Sequence, residues 1–189
     1  MSVIDIFSDI NKHMVDGIRM HCHLADYFDF LGMGGFKRQQ EYRYFDESIE
    51  LRAIRRYFIN HYGMVLEERN STEERYIPSA WSGVDRMNVD NSARSKAIKE
   101  SIETWVKWET DTKKMYQDYY SQLCDMHEIA GAKKVMCLIC GVDKELKCAQ
   151  RLWIKLKCLD FNVGEMALLQ DEMHEKYRKK MNKLGVKMC

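Results

Sequence analysis

The segment DESIELRA, residues Asp46–Ala53, places two carboxylates three positions apart inside a stretch with helical periodicity. On a helical wheel at 100° per residue, Glu47 and Glu50 fall in the same sector as the apolar side chains of this stretch, among them Leu51, Ile54 and Phe58. Burying a carboxylate without a partner is unfavourable, so an inward-facing pair requires a compensating group. The segment therefore predicts either a metal site or a hydrogen-bonded polar network inside a helical bundle.

The rest of the chain also has helical periodicity, and it contains a single proline, Pro78. No segment alternates between apolar and polar residues over five or more positions, as a half-exposed strand would. The glycine-rich segment Leu31–Gly35 and the segment Ala130–Ala132 are predicted turns. A single helical-bundle domain is predicted, with helices over residues 4–30, 36–66, 92–129, 133–159 and 165–184.

The lengths of the connections predict how these helices are arranged. Two short turns make antiparallel pairs of the first and second helices and of the third and fourth. The crossover, residues 67–91, is about 25 residues long and can span a bundle, so the second and third helices can run parallel. Ser92 is predicted to cap the third helix. The sequence thus predicts an all-α four-helix bundle with one long crossover and a short fifth helix at the C-terminal end.

Each long helix contributes at least one polar group to its apolar side. These groups are His21 on the first helix, Glu47 and Glu50 on the second, Glu109 on the third and Glu145 on the fourth. Several carboxylates in one bundle core are tolerated when a divalent cation neutralises them. Carboxylate and imidazole ligands suit iron or manganese, so these five residues are the candidate metal ligands. A core without any cofactor is equally compatible with the sequence.

The helix pattern, the crossover and the inward glutamates resemble the ferritin-like superfamily, the di-iron carboxylate bundles. In that superfamily two helices each supply one glutamate and the other two each supply Glu-x-x-His. Glu109 matches a single glutamate, whereas ESIE (Glu47–Glu50) and ELKC (Glu145–Cys148) end without histidine, and the first helix offers His21. The resemblance implies a di-metal carboxylate site with an altered or lapsed ligand set, and a function related to iron or oxygen.

The register of each hairpin predicts which of these groups meet. His21 and Glu47 are each thirteen residues from Gly34, so they are expected at the same height and in contact. Around a turn at Gly131, Glu109 lies 22 residues before and Glu145 14 residues after. At ~1.5 Å per residue this mismatch is roughly 12 Å, which predicts that Glu109 and Glu145 do not share a metal shell.

The alternative to a metal site is a satisfied polar network. Buried hydroxyl groups are suitable donors to carboxylates, and the candidates are Tyr57, Tyr116, Tyr119 and Tyr120. This alternative predicts a non-catalytic helical protein, of the accessory or mobile-element type, that binds another protein through its surface. It leaves open whether the chain is an enzyme.

Composition excludes several classes of protein. With 46% hydrophobic and 31% charged residues the chain is neither disordered nor membranous, and a net charge of +1 argues against a nucleic-acid surface. No signal peptide is recognised, and the odd number of cysteines, seven, favours reduced thiols in a cytoplasmic protein. Cys137 and Cys140 have C-x-x-C spacing without a second ligand pair, so core packing is expected for them, rather than a metal or redox role.

Two further features predict a surface for a partner. Arg52, Arg55 and Arg56 fall on the outer face of the second helix, where they could contact an acidic partner or simply face solvent. Trp81 lies in the polar crossover, and long loops that carry aromatic residues often form contacts. Bundles of this kind commonly oligomerise, so a homodimer is compatible with the sequence.

Overall fold

Four long helices and a shorter fifth build the described part of this computed structural model, which comprises residues 1–66 and 85–186. The helices are α1 (Val3–Phe30), α2 (Gly34–Tyr62), α3 (Asn91–Asp125), α4 (Ile129–Cys158) and α5 (Met166–Lys183), with a 3-10 turn at Arg86–Asn88. No strand occurs within the described ranges, so the prediction of an all-α bundle with a short C-terminal helix is confirmed. Trp81 and most of the crossover lie outside the described residues.

The helix ends follow local chain chemistry and differ from the predicted bounds by at most four residues. Gly32 adopts a left-handed φ of 72° between α1 and α2, which glycine does without strain. Gly63, at φ 66°, ends α2 at Tyr62 instead of continuing it to residue 66. The cap of α3 is Asp90, whose carboxylate accepts a hydrogen bond from the Ala93 amide at 2.7 Å, so the predicted Ser92 cap is wrong.

The turn between α3 and α4 is the main departure from the predicted layout. It lies at residues 126–128, where His127 has a left-handed φ of 59°, and Ala130–Ala132 is already helical. Glu109 and Glu145 are each 18 residues from His127, so they lie at the same height in the hairpin. The predicted offset of roughly 12 Å is therefore wrong, because it rested on a turn centred four residues too late.

Two apolar clusters form the core, and a layer of buried polar side chains separates them. One cluster includes Phe7, Ile10, Phe58, Leu123 and Val135. The other includes Leu24, Phe28, Trp105, Ala149 and Leu156. Between them lie His21, Gln40, Arg43, Glu47, Glu109 and Thr112, all buried. These six residues come from α1, α2 and α3, and α4 adds the half-buried Glu145, which pairs with Arg43.

The fifth helix packs along α2 and closes one side of this layer. A Cβ atom on Gly35 would collide with the backbone of Gln170, so glycine is needed for the close approach of the two helices. The Gln39 amide donates to the Tyr177 hydroxyl at 3.1 Å. The α5 segment therefore lies against the part of α2 that leads to the polar layer.

Candidate metal centre

Three of the five candidate ligands meet at the centre of the polar layer. His21 Nε2 lies 3.1 Å from Glu47 Oε1, which is the contact expected from the hairpin register. One ligand atom from each of His21, Glu47 and Glu109 lies within 4.8 Å of the other two. His21 is fully buried and Glu109 is 1% exposed, so these groups are shielded from solvent. A buried cluster of one imidazole and two carboxylates is a suitable set of ligands for a divalent transition metal.

The other two candidates, Glu50 and Glu145, border the same site. They line a cavity of about 20 Å³ together with Glu47 and Glu109. A cavity of this size has room for about one water molecule or a small ion. The structure therefore brings all four glutamates to one place, with His21 beside Glu47.

The orientation of His21 is fixed by a neighbour that the sequence did not reveal. The Gln40 side-chain oxygen lies 2.6 Å from His21 Nδ1, so Nδ1 carries the hydrogen and donates it. The buried Nε2 then faces Glu47 Oε1, and in the neutral imidazole its lone pair would be free to bind a metal ion. A histidine whose other ring nitrogen donates to an oxygen acceptor is the usual arrangement of a metal ligand.

An arginine that the sequence reasoning overlooked occupies the middle of the carboxylates. Arg43 is 5% exposed, and both of its terminal nitrogens donate to the Glu145 carboxylate. Its Nη2 also lies 3.4 Å from Glu47 Oε1 and 4.0 Å from Glu109 Oε1. Arg43 precedes Glu47 by one helical turn, and that spacing was the available sequence signal for an inward guanidinium.

Burial, His21 and Arg43 together set the pKa values of the glutamates. Burial alone would raise the pKa of Glu47, but His21 and then Arg43 hold it below the ordinary value. Burial raises the pKa of Glu109, and Arg43 only partly opposes that rise, while Trp105 Nε1 donates to its Oε1 at 2.9 Å. The pKa of Glu50 is also raised by burial against the opposing effect of Arg43. Arg43 therefore does not fully offset the effect of burial on Glu50 and Glu109.

At the level of Glu47, the first helix has a glycine, Gly17, and no carboxylate in contact with the site. A Cβ atom on Gly17 would lie 2.7 Å from Glu47 Oε2 and 3.3 Å from the Trp108 ring. His13, one turn earlier, stacks on Trp108 with 4.2 Å between ring centroids, and its Nε2 lies 2.6 Å from Thr112 Oγ1. Gly17 thus lets α1 approach the glutamate of α2 closely.

The tyrosine network proposed as an alternative is not what surrounds these glutamates. Tyr119 donates to Asp9 at 3.1 Å, and the Tyr57 ring packs on His61. Tyr116 lines the small cavity, where burial raises its pKa well above the ordinary value. The donors to the carboxylates in the described structure are instead Arg43 and Trp105.

The remaining predicted surface residues have different environments. Arg52 and Arg56 are exposed, whereas Arg55 is half-buried and donates to Asn11 Oδ1 at 2.8 Å, so it ties α2 to α1. Cys137 and Cys140 are exposed, which contradicts the expectation that they pack in the core. Their positions three residues apart on α4 follow the outer face of the helix.

Comparison with known proteins defines the fold. No model of a protein family and no curated protein sequence matches this chain. Solved structures do match: an Archaeoglobus fulgidus ferritin engineered to a closed form has a TM-score of 0.75 at 15% identity, over 92% of this chain and 96% of that one. A structure described as a humanized archaeal ferritin has a TM-score of 0.77 at 12% identity, over 92% of this chain and 97% of that one. The open-pore ferritin of the same archaeon has a TM-score of 0.75 at 14% identity, over 91% and 94% of the two chains.

The chain therefore has a ferritin-like fold, in agreement with the resemblance noted in its sequence. The cluster of His21, Glu47 and Glu109 is a possible metal site within that fold. Among the described helices, none combines the length and apolarity that crossing a membrane requires.

Proposed function

We propose that this protein is a ferritin-like bundle with an altered carboxylate centre, which binds one Fe²⁺ or Mn²⁺ ion per chain through His21, Glu47 and Glu109. The observation that carries the proposal is the buried Nε2 of His21, which faces two buried carboxylates. Either a proton or a metal cation must lie between this nitrogen and Glu47 Oε1, which is 3.1 Å away. The oxygen of Gln40 holds the imidazole in the form that leaves Nε2 available.

The charge of the site supports a divalent cation. Four carboxylates border the cavity, and three of them, those of Glu47, Glu109 and Glu145, contact the guanidinium of Arg43. Burial first, and neighbouring carboxylates after it, raise the pKa values of Glu50 and Glu109 against the opposing effect of Arg43. A bound dication would stabilise the ionised forms of both glutamates and lower their pKa values.

Arg43 is the reason for proposing one ion and not two. Its guanidinium engages both oxygens of Glu145, so that carboxylate is committed to an ion pair. The positions three residues after Glu47 and Glu145 hold Glu50 and Cys148, and Cys148 Sγ lies near the Tyr177 hydroxyl, 3.6 Å away. In this arrangement Trp105 orients Glu109 and Gln40 orients His21. When bound, the ion would supply a Lewis acid and, for iron, a one-electron redox couple.

Metal analysis of the purified protein tests the proposal. After growth with added iron or manganese, the wild type should contain about one ion per chain, and Glu47→Gln with Glu109→Gln should lose it. Asp143→Asn with Glu175→Gln is the matched control, because both carboxylates pair with surface cations outside the site. A wild type without stoichiometric metal would refute the proposal, and two ions per chain would refute the role assigned to Arg43.

A second candidate function has its own supporting observation. Because Arg43 already engages Glu145, Glu47 and Glu109, a lapsed centre could be stable without metal, in a helical protein that binds a partner or forms a homodimer. This candidate predicts a metal-free protein whose partner binding depends on surface groups. Arg52→Ala with Arg56→Ala, or Trp81→Ala, should then abolish capture of the partner, while light scattering would report the homodimer. Variants that retain capture would exclude this surface.

A further inference from the structure

A second cavity, lined by none of the candidate metal ligands, opens between α4 and α5. Its volume is about 220 Å³, below the ~300–1,000 Å³ typical of sites for drug-sized ligands, so its ligand is small. The mouth carries four cationic side chains: Lys144, Arg151, Lys155 and Lys176. No aspartate or glutamate of the described residues lines it. Four cations without a carboxylate among them favour an anionic ligand.

The inner part of this cleft is apolar and includes one unsatisfied acceptor. Leu152 and Met173 are buried residues of its wall. Gln39, which is 2% exposed, also lines the cleft, and its buried Oε1 has no hydrogen-bond partner in the described structure. A buried acceptor without a donor is unfavourable, so a ligand that donates to it would gain affinity.

The Tyr177 hydroxyl completes the polar part of the cleft. It accepts a hydrogen bond from Gln39 Nε2 at 3.1 Å, and it also lies 3.6 Å from Cys148 Sγ, within hydrogen-bond distance. Burial raises the pKa of this phenol, so it stays protonated at neutral pH. The cleft therefore offers cations at its mouth and one unpaired acceptor, Gln39 Oε1, against an apolar wall.

From this arrangement we propose that the α4–α5 cleft binds a small hydroxylated organic phosphate. The phosphate lies between Arg151 and Lys155 at the mouth, where guanidinium and ammonium groups are effective phosphate partners. A hydroxyl group of the ligand donates to Gln39 Oε1, and the carbon skeleton packs on Leu152 and Met173. The proposal does not depend on metal binding at His21.

Calorimetric titration of the full chain at low salt tests the proposal. The probe is glycerol 3-phosphate, expected to bind once per chain, and the comparison ligands are n-propyl phosphate, glycerol and inorganic phosphate. Propyl phosphate has the charge but no hydroxyl, so it should bind about tenfold more weakly, because Gln39 Oε1 stays unpaired. Glycerol has no charge and should not bind measurably. Equal affinities for the two phosphate esters would refute the role of Gln39.

Surface variants test the cations without disturbing the core. Arg151→Gln with Lys155→Gln should weaken glycerol 3-phosphate binding about tenfold or more, because two charge-assisted contacts are lost. Lys133→Gln with Lys157→Gln removes the same charge from exposed positions of α4 outside the cleft and should leave the affinity unchanged. Equal loss in both double variants, or no binding to the wild type, would overturn the proposal. So would binding of heparin by a protein that ignores glycerol 3-phosphate, since the cations would then serve a polyanion surface.

Discussion

Replacing Arg43 by glutamine should destabilise the metal-free protein by about 3–5 kcal/mol at neutral pH, the usual result of removing one partner from a buried ion pair. The side chain is 5% exposed and is held among Glu47, Glu109 and Glu145. Glutamine keeps a hydrogen-bonding amide at the same position but removes the positive charge. The carboxylates would then be buried together without a permanent cation.

The magnitude follows from the distances. At 4.0 Å, the separation of Arg43 Nη2 and Glu109 Oε1, two unit charges interact by about 4 kcal/mol at an effective dielectric constant near 20. Arg43 has similar or shorter contacts with two further glutamates, and the unfavourable desolvation of the guanidinium offsets much of the sum. A net loss of a few kcal/mol is a large part of the stability of a domain of this kind.

Urea unfolding followed by circular dichroism measures this loss as a shift of the midpoint at constant slope. Arg52→Gln is the matched control, because Arg52 lies exposed on the same helix and its replacement should change the unfolding free energy by less than about 0.5 kcal/mol. Added Mn²⁺ should restore part of the stability of the Arg43 variant, since a dication can replace the guanidinium among the carboxylates. A loss below about 1 kcal/mol, or the same loss for both variants, would refute the reasoning, since exposed ion pairs contribute that little.

Three further predictions concern the site and its support. Burial raises the pKa of Glu109, so its carboxyl group binds a proton more tightly in the metal-free folded protein than in the unfolded chain. The free energy of unfolding should therefore fall as pH rises above the ordinary pKa of 4.5. In Glu109→Gln this fall should be smaller, and an unchanged slope of the unfolding free energy against pH would contradict the prediction. Gln40→Leu removes the acceptor that orients His21 and should weaken metal binding about 10–100-fold in a competition titration with a chelator, whereas an unchanged affinity would show that the imidazole needs no such support. Gly35→Ala should lower the free energy of unfolding by about 1–3 kcal/mol in urea titrations, because the new methyl group would collide with the α5 backbone. Gly34→Ala is the control, because its methyl group would contact no other atom, and it should leave this free energy unchanged. Equal results for the two variants would disprove the tight contact.

Helical periodicity was sufficient to predict the architecture, because the inward carboxylates, the short turns and the long crossover all pointed to one bundle. The predicted His21–Glu47 contact is present for the same reason, since the first turn was placed correctly to within two residues. The second turn was misplaced because Gly131 was read as a breaker, although glycine is tolerated inside a packed helix. There Gly131 is buried in α4, while His127 adopts the left-handed conformation instead. One misplaced turn was enough to separate Glu109 from Glu145 in the prediction.

A search for inward-facing carboxylates alone could not identify the residues that surround them. The roles of Gln40 and Gly17 depend on the atoms that face them, His21 Nδ1 and Glu47 Oε2, and these contacts follow from how α1 and α2 pack. The inward position of Arg43 could have been predicted, because this residue lies four positions before Glu47 and therefore on the same face of the helix.

Under the proposed function, Arg43 and a metal ion would compete for the same oxygen atoms. A guanidinium on α2 stabilises the apo bundle, and it also engages Glu145, a carboxylate that a second metal would need. His21 Nε2 and Arg43 Nη2 both lie near Glu47 Oε1, at 3.1 and 3.4 Å, whereas Glu145 pairs with Arg43 alone among these two basic groups. A metal ion beside His21 would therefore share Glu47 Oε1 with Arg43 and would not need Glu145. Metal binding should accordingly persist in Glu145→Gln and disappear in Glu47→Gln, and the reverse order would show that Glu145, and not Glu47, is the ligand.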